Sequence, residues 1–256
     1  MIEFEPIASP LDRGLRRALL EQVAADVATS GPTNGEFVVS TMTRALADHL
    51  LTIPPADGGS VAIDLGTGTG VHALLMLAAG YRRVIAADLH PDAVQLAGQR
   101  AVRILPGLRV ETVTDLGSFA AADDGEPTLG LFVGGLDDVA AQAAELRESV
   151  DLLSFNPPIL HALTDVSFDK PATQGVYFAA EEPVNESAKG LLPRFYATVV
   201  APTLAPGGRA LAAWAGLNRD LVEDDPSSPA PGPTRHPSQM LARWLDWTVE
   251  VTDATD

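Results

Sequence analysis

The chain has 256 residues, with 34 Asp and Glu against 17 Lys and Arg and a formal charge of −17. That balance disfavours a nucleic-acid partner, which ordinarily meets a basic face, and the only lysines are Lys170 and Lys189. Absence of cysteine excludes disulfides, thiolate catalysis and Cys-ligated zinc, while no apolar run approaches the ~20 residues of a membrane span.

The first residues, MIEFEPIASP, lack the basic start and apolar core of a signal peptide, so a cytoplasmic protein is expected. From 10 to 29, Leu11, Leu15, Leu19, Val23 and Val27 recur near helical spacing, until Gly31, Pro32, Asn34 and Gly35 break the pattern. A second helix, FVVSTMTRALADHLL, ends before Pro54 and Pro55. Residues 1–59 therefore read as a helical extension ahead of an α/β domain at 60–256.

VAIDLGTGTG at 61–70 is an apolar strand ending in Asp64 and feeding a helix across Gly66, Gly68 and Gly70. Bare backbone there allows positive φ and close approach of a ligand, which gives a nucleotide-sized pocket. A dinucleotide fingerprint counted from Gly66 needs its third glycine at 71, where Val71 stands. Asp64 beside the loop repels a pyrophosphate and attracts a cationic ligand. The next strand, RRVIAAD, stops at Asp88, about 20 residues on, where an acid can accept from the hydroxyls of a ribose. Pro91 and Asp92 then open a helix.

A third apolar run, LRVETV, precedes Asp115 and Leu116. The stretch at about 117–149 is longer than an ordinary connection and offers an extra strand, TLGLFV, and a helix, DVAAQAAELRE. The strand VDLLSF delivers Asn156, Pro157, Pro158 and Ile159 to a carboxyl strand end, where ligands bind in this architecture. A second insertion, about 161–190, reads as a substrate lid in which Phe168, Tyr177, Phe178 and Glu181 are candidate contacts. A helix, an APGG turn and a strand at 208–215 close the core. A Pro and Ser rich linker at about 224–237, a helix (SQMLARWLDW) and a final strand (TVEV) follow.

The spaced Asp64, Gly66, Gly68 and Gly70, then Asp88, then Asp115, then Asn156-Pro157-Pro158 resemble, in order, the motifs of class I S-adenosylmethionine (SAM) methyltransferases. The last motif is similar to the N-P-P-[YF] of the amino methyltransferases, including the HemK-like branch, with Ile159 in place of the aromatic. The resemblance covers about 61–216. It implies a doubly wound, mostly parallel Rossmann-like sheet with helices on both faces and SAM as cofactor. Asp64, Gly66, Thr67, Gly68, Gly70, Asp88, Leu89, Asp115, Leu116 and Asn156 would then hold SAM, with Asp115 accepting from the adenine amino group and Leu116 covering the ring. Asn156 and Pro157 would be catalytic, the Asn oxygen and the Pro carbonyl accepting from an amino group in line with the methyl. Pro158, Ile159, Tyr177 and Phe178 would line the acceptor pocket.

Ile159 gives apolar contact without aromatic stacking, which with the acidic charge favours a small-molecule or protein substrate over a nucleobase. Transfer to an amino or amide nitrogen leads. Transfer to oxygen or another SAM-dependent reaction is the enzymatic alternative, and non-catalytic SAM binding is the third. His161 could act as a general base, but two acceptors on one nitrogen do not require it. His72 and His90 read as polar surface residues, and Arg82, Arg83, Arg100 and Arg103 as solvated surface. No spacing demands a metal, Asp115, His161 and Asp165 included. Oligomeric state has no signal in the sequence.

Overall fold

The computed structural model describes residues 13–30, 39, 41–50, 53, 61–122, 125–157 and 194–213. The expected lid, the linker and the elements beyond 213 lie outside these residues. So do Pro158, Ile159, His161, Asp165, Phe168, Tyr177, Phe178 and Glu181.

The apolar runs become six strands, β1 (Val61–Leu65), β2 (Arg83–Asp88), β3 (Arg109–Thr112), β4 (Thr128–Val133), β5 (Val150–Phe155) and β6 (Leu204–Ala212). Helices α1 (Arg13–Ser30) and α2 (Thr41–Leu50) precede them. α3 (Val71–Ala79), α4 (Pro91–Ile104), α5 (Leu116–Ala121) and α6 (Leu136–Ala141) connect them in turn. A π-wound segment, Phe195–Val200, continues through a single α-turn, Ala201–Thr203, into β6. The strands form one sheet in the order β3-β4-β2-β1-β5-β6, every neighbouring pair parallel. This is the Rossmann-like α/β fold that the resemblance implies.

Both faces of the sheet are covered, and the two-residue period of the strands divides the side chains between them. Ala62, Val84 and Ala86 join α3 and α4 in one core. Ile63, Leu65, Ile85 and Ala87 join Phe119, Val139, Phe195 and Val199 in the other. The first face has a further layer. Every residue of α3 is buried, as a helix apolar all round requires. Cover comes from α1 and α2, whose Leu19, Leu20, Val23, Ala47 and Leu50 share its core. Each such Leu or Val contributes about 1.5–3 kcal/mol. The N-terminal extension is thus part of the fold's packing.

Three segments differ from the expectation. The extra strand at 128–133 forms, but it lies inside the sheet between β2 and β3, so β3 becomes the edge. The helix expected over 138–148 stops at Ala141, and turns then lead through Glu148, which takes φ 51, into β5. The APGG turn is a bulge within β6: Val150 pairs Leu204 and Leu152 pairs Arg209, so extra residues loop out around Gly207 at φ 83.

Candidate active site

β1 lies between β2 and β5, with Leu65 opposite both Ala87 and Phe155. One residue further along each chain stand Gly66, Asp88 and Asn156. Three of the motifs therefore meet at the carboxyl edge of three adjoining strands. A β-carbon on Gly66 would lie 4.0 Å from the Asn156 carbonyl oxygen, which measures how near the loop runs to the N-P-P segment.

Gly66, Gly68 and Gly70 have φ of 69, 46 and 77. At Gly70 glycine is needed twice over, since a β-carbon would also sit 2.9 Å from that of Ala97 on α4. The loop is tied to β2 by Thr67 N–H on the Ala87 carbonyl (2.9 Å) and by Gly68 N–H on Asp88 Oδ2 (2.9 Å). The other Asp88 oxygen accepts from His90 N–H at 2.9 Å. A carboxylate has about four acceptor positions, so capacity for the two hydroxyls of a ribose remains. Burial holds Asp88 above the ordinary carboxylate range, against the lowering effect of the His90 and Gly68 N–H groups. Leu89 follows, 58 % exposed, an apolar residue beside the loop.

Asp64 has a different environment. It is wholly buried; Oδ2 accepts from Thr67 Oγ1 (2.7 Å) and Ala73 N–H (3.2 Å), and Oδ1 from Ser154 Oγ. Its charge at the start of α3 replaces the side-chain cap that Gly70 cannot supply, while the Ser154 contact ties β1 to β5. These contacts are with the protein, so the carboxylate sets the shape of the loop.

Asp115 and Leu116 fall beyond β4, two strands from Asp88 in the sheet order. The Asp115 carboxylate caps α5, accepting from Ser118 N–H (2.9 Å) and Oγ (2.7 Å), and these bonds hold it below the ordinary range. Leu116 is fully buried in the core. The strand end beside Asp88 is that of β4: Val133 pairs Asp88, and Gly134 N–H donates to the Asp88 carbonyl at 2.9 Å. Leu89 lies against Gly135, where a β-carbon would be 3.5 Å from Leu89 Cδ1.

Asn156 is half-buried and Pro157 buried. Asn156 Nδ2 donates to Thr43 Oγ1 of α2 at 3.2 Å. The Thr43 carbonyl in turn lies 3.0 Å from His72 Nε2, and His72 Nδ1 lies 3.6 Å from Asp64 Oδ1. His72 is therefore buried, not a surface residue. Burial alone would disfavour its imidazolium, but the facing Asp64 carboxylate and the Thr43 carbonyl outweigh this and raise its pKa above 6.5. Arg83 and Arg100 are also buried, contrary to the surface expectation. Arg100 reaches from α4 to the Thr69 carbonyl of the glycine loop and to Asp26 of α1 (2.7 Å), which Arg103 also meets at 2.6 Å. The two arginines hold Asp26 below the ordinary range although burial opposes them.

Thr43, His72, Ser154 and Arg100 are thus site-supporting residues that motif reading missed. Two had a sequence signal: His72 and Ser154 are polar residues in otherwise apolar runs. Among the described residues, no group of three or more His, Asp or Glu could hold a metal, and no helix is long and apolar enough to cross a membrane.

A glycine loop at a strand end, an acid at the end of the next strand and an all-parallel sheet covered by helices define a Rossmann-like α/β fold. The chain is similar to a ribosomal protein L11 methyltransferase of Geobacter sulfurreducens, 44 % identical over 72 residues. The match covers 28 % of this chain and 22 % of the relative's length. No family model matches the chain.

Proposed function

We propose that the chain is a SAM-dependent methyltransferase that transfers a methyl group to an amino or amide nitrogen of a small molecule or a protein side chain. One observation carries the reading: Asp88, the glycine loop and Asn156 stand side by side at the ends of three adjoining strands. The partial similarity to an L11 methyltransferase supports methyl transfer with the same cofactor, and that relative's name supports a protein as one of the two acceptor classes.

When bound, SAM supplies an electrophilic methyl on a sulfonium. Asp88 would accept from the ribose hydroxyls, and Gly66, Thr67, Gly68 and Gly70 would let the ligand lie on bare backbone. Leu89 and the segment after β4, at 134–136, would flank the adenine, because these residues adjoin Asp88 whereas Asp115 lies a strand further out. Asn156 Oδ1 and the Pro157 carbonyl would accept from the nitrogen of the methyl acceptor. They would thereby aim its lone pair and stabilise the positive charge that grows as it attacks. Pro158, Ile159, Tyr177 and Phe178 would be the further substrate contacts.

Calorimetry with SAM and S-adenosylhomocysteine tests the cofactor half. Labelled SAM offered with free L11 protein, glutamine and a panel of amine metabolites tests the acceptor half. Saturable binding of both cofactor forms, and label retained on nitrogen, is the expected result. Failure of the wild-type chain to bind either form overturns the reading, and label on oxygen moves it to the enzymatic alternative.

A further inference from the structure

We propose that Thr43, on α2 of the N-terminal extension, is a positioning residue that orients the Asn156 amide so that its oxygen faces the methyl acceptor. The inference rests on the methyltransferase reading above and deepens it.

An asparagine side chain presents an acceptor on one side and a donor of nearly the same shape on the other. A turn of half a revolution exchanges them, and a donor facing an amino nitrogen would repel it at the moment of attack. Orientation therefore has to be imposed from outside the side chain. Thr43 holds one end of the group, its hydroxyl oxygen accepting from Asn156 Nδ2 at 3.2 Å, and so fixes the plane and position of the amide with its amino end on α2. With Nδ2 on Thr43, planarity of the amide turns Oδ1 away from α2. Thr43 is itself 5 % exposed, and its own carbonyl is held by His72 from α3 at 3.0 Å. His72 faces Asp64, whose oxygens bind Thr67 of the glycine loop and Ser154, two residues before Asn156. The anchor is therefore braced by the same buried group that shapes the cofactor loop. α2 approaches from outside the α/β unit, so the extension completes the acceptor side of the site.

The test needs no knowledge of the acceptor. Sinefungin, a SAM analogue carrying an amino group where the methyl would be, presents a donor to the acceptor position, whereas S-adenosylhomocysteine has nothing there. Thr43→Val removes the hydroxyl at nearly constant shape, and Thr43→Ser restores it. Asn156→Ala and Thr43→Val should each lower sinefungin affinity about tenfold while S-adenosylhomocysteine affinity stays within about twofold. Thr43→Ser should behave as wild type, and Thr43→Val should add no loss in the Asn156→Ala background.

Equal loss of both ligands in Thr43→Val, or no loss of sinefungin there while Asn156→Ala loses it, overturns the proposal. If wild type binds both ligands and Asn156→Ala leaves sinefungin unaffected, the role of Asn156 falls and this inference with it. If wild type binds neither, the methyltransferase reading itself has failed. Should Thr43→Val not fold, the Asn156 side-chain NH2 resonance of the wild type, assigned by its loss in Asn156→Ala, provides the second measurement. Slowed proton exchange supports the anchor, and exchange at the rate of a free amide overturns it.

Discussion

Asp88 and Asn156 leave the sheet at the same level on either side of the Gly66 turn, because the residues before them, Ala87 and Phe155, both pair with Leu65. Strand spacing separates the two backbones by about 10 Å. On the proposed reading, this register would run the cofactor from its ribose at β2 to its reacting end at β5.

Asp88 should control cofactor affinity through its charge. Burial raises its pKa, so protonation on acidification begins above the usual carboxylate range and removes acceptor capacity. S-adenosylhomocysteine affinity is expected to fall as pH falls through that raised value. Asp88→Asn should bind roughly 10- to 100-fold more weakly, with no such acid limb, since hydrogen bonds to a charged group are worth about 1.5–3 kcal/mol. Calorimetry of both proteins across pH checks this, and equal pH profiles would refute it.

Asn156 should act on the rate. Asn156→Ala is expected to lower methyl transfer at least ~10-fold and to leave SAM affinity nearly unchanged, because its acceptor matters most once charge has developed. Single-turnover transfer of label, paired with SAM calorimetry, separates the two effects.

Gly70→Ala should destabilise the fold by about 1–3 kcal/mol through the left-handed φ of 77, and the contact with Ala97 should add to it. Urea unfolding measures the loss. Coupling with Ala97→Gly should recover the steric part only, and full recovery would mean that the dihedral carries no strain.

His72 should make stability depend on pH. Its pKa is raised in the folded protein, so its contribution is full below 6.5 and fades as pH rises through the folded value. The stability difference between wild type and His72→Gln is expected to shrink over that window. A difference constant with pH would show that Asp64 and Thr43 do not favour the imidazolium.

Much of the site was legible in the sequence because its signals are local. Asp64, the three glycines and Asp88 sit at fixed offsets from the ends of apolar runs, and backbone sterics turn such offsets into a loop at a strand end. Asn156 was legible for the same reason. The residues expected to line an acceptor pocket were less so and lie outside the described residues: Ile159 departs from the aromatic of the motif it resembles, and Tyr177 and Phe178 belong to a stretch without a clean period.

The sequence by itself determined the strand and helix alternation, from apolar runs and helical spacing, and with it the parallel sheet that such alternation builds. Tertiary structure alone decided which strand adjoins β2, because hydrogen-bond pairing between segments distant in sequence leaves no mark in either. That choice set β4 beside Asp88 and moved Asp115 outward. It likewise decided that α1 and α2 would cover α3, burying His72 and Arg100 and bringing Thr43 to Asn156. Burial and long-range contact are properties of the assembled layers, and a polar residue's partner is known only when the layer that carries it has docked.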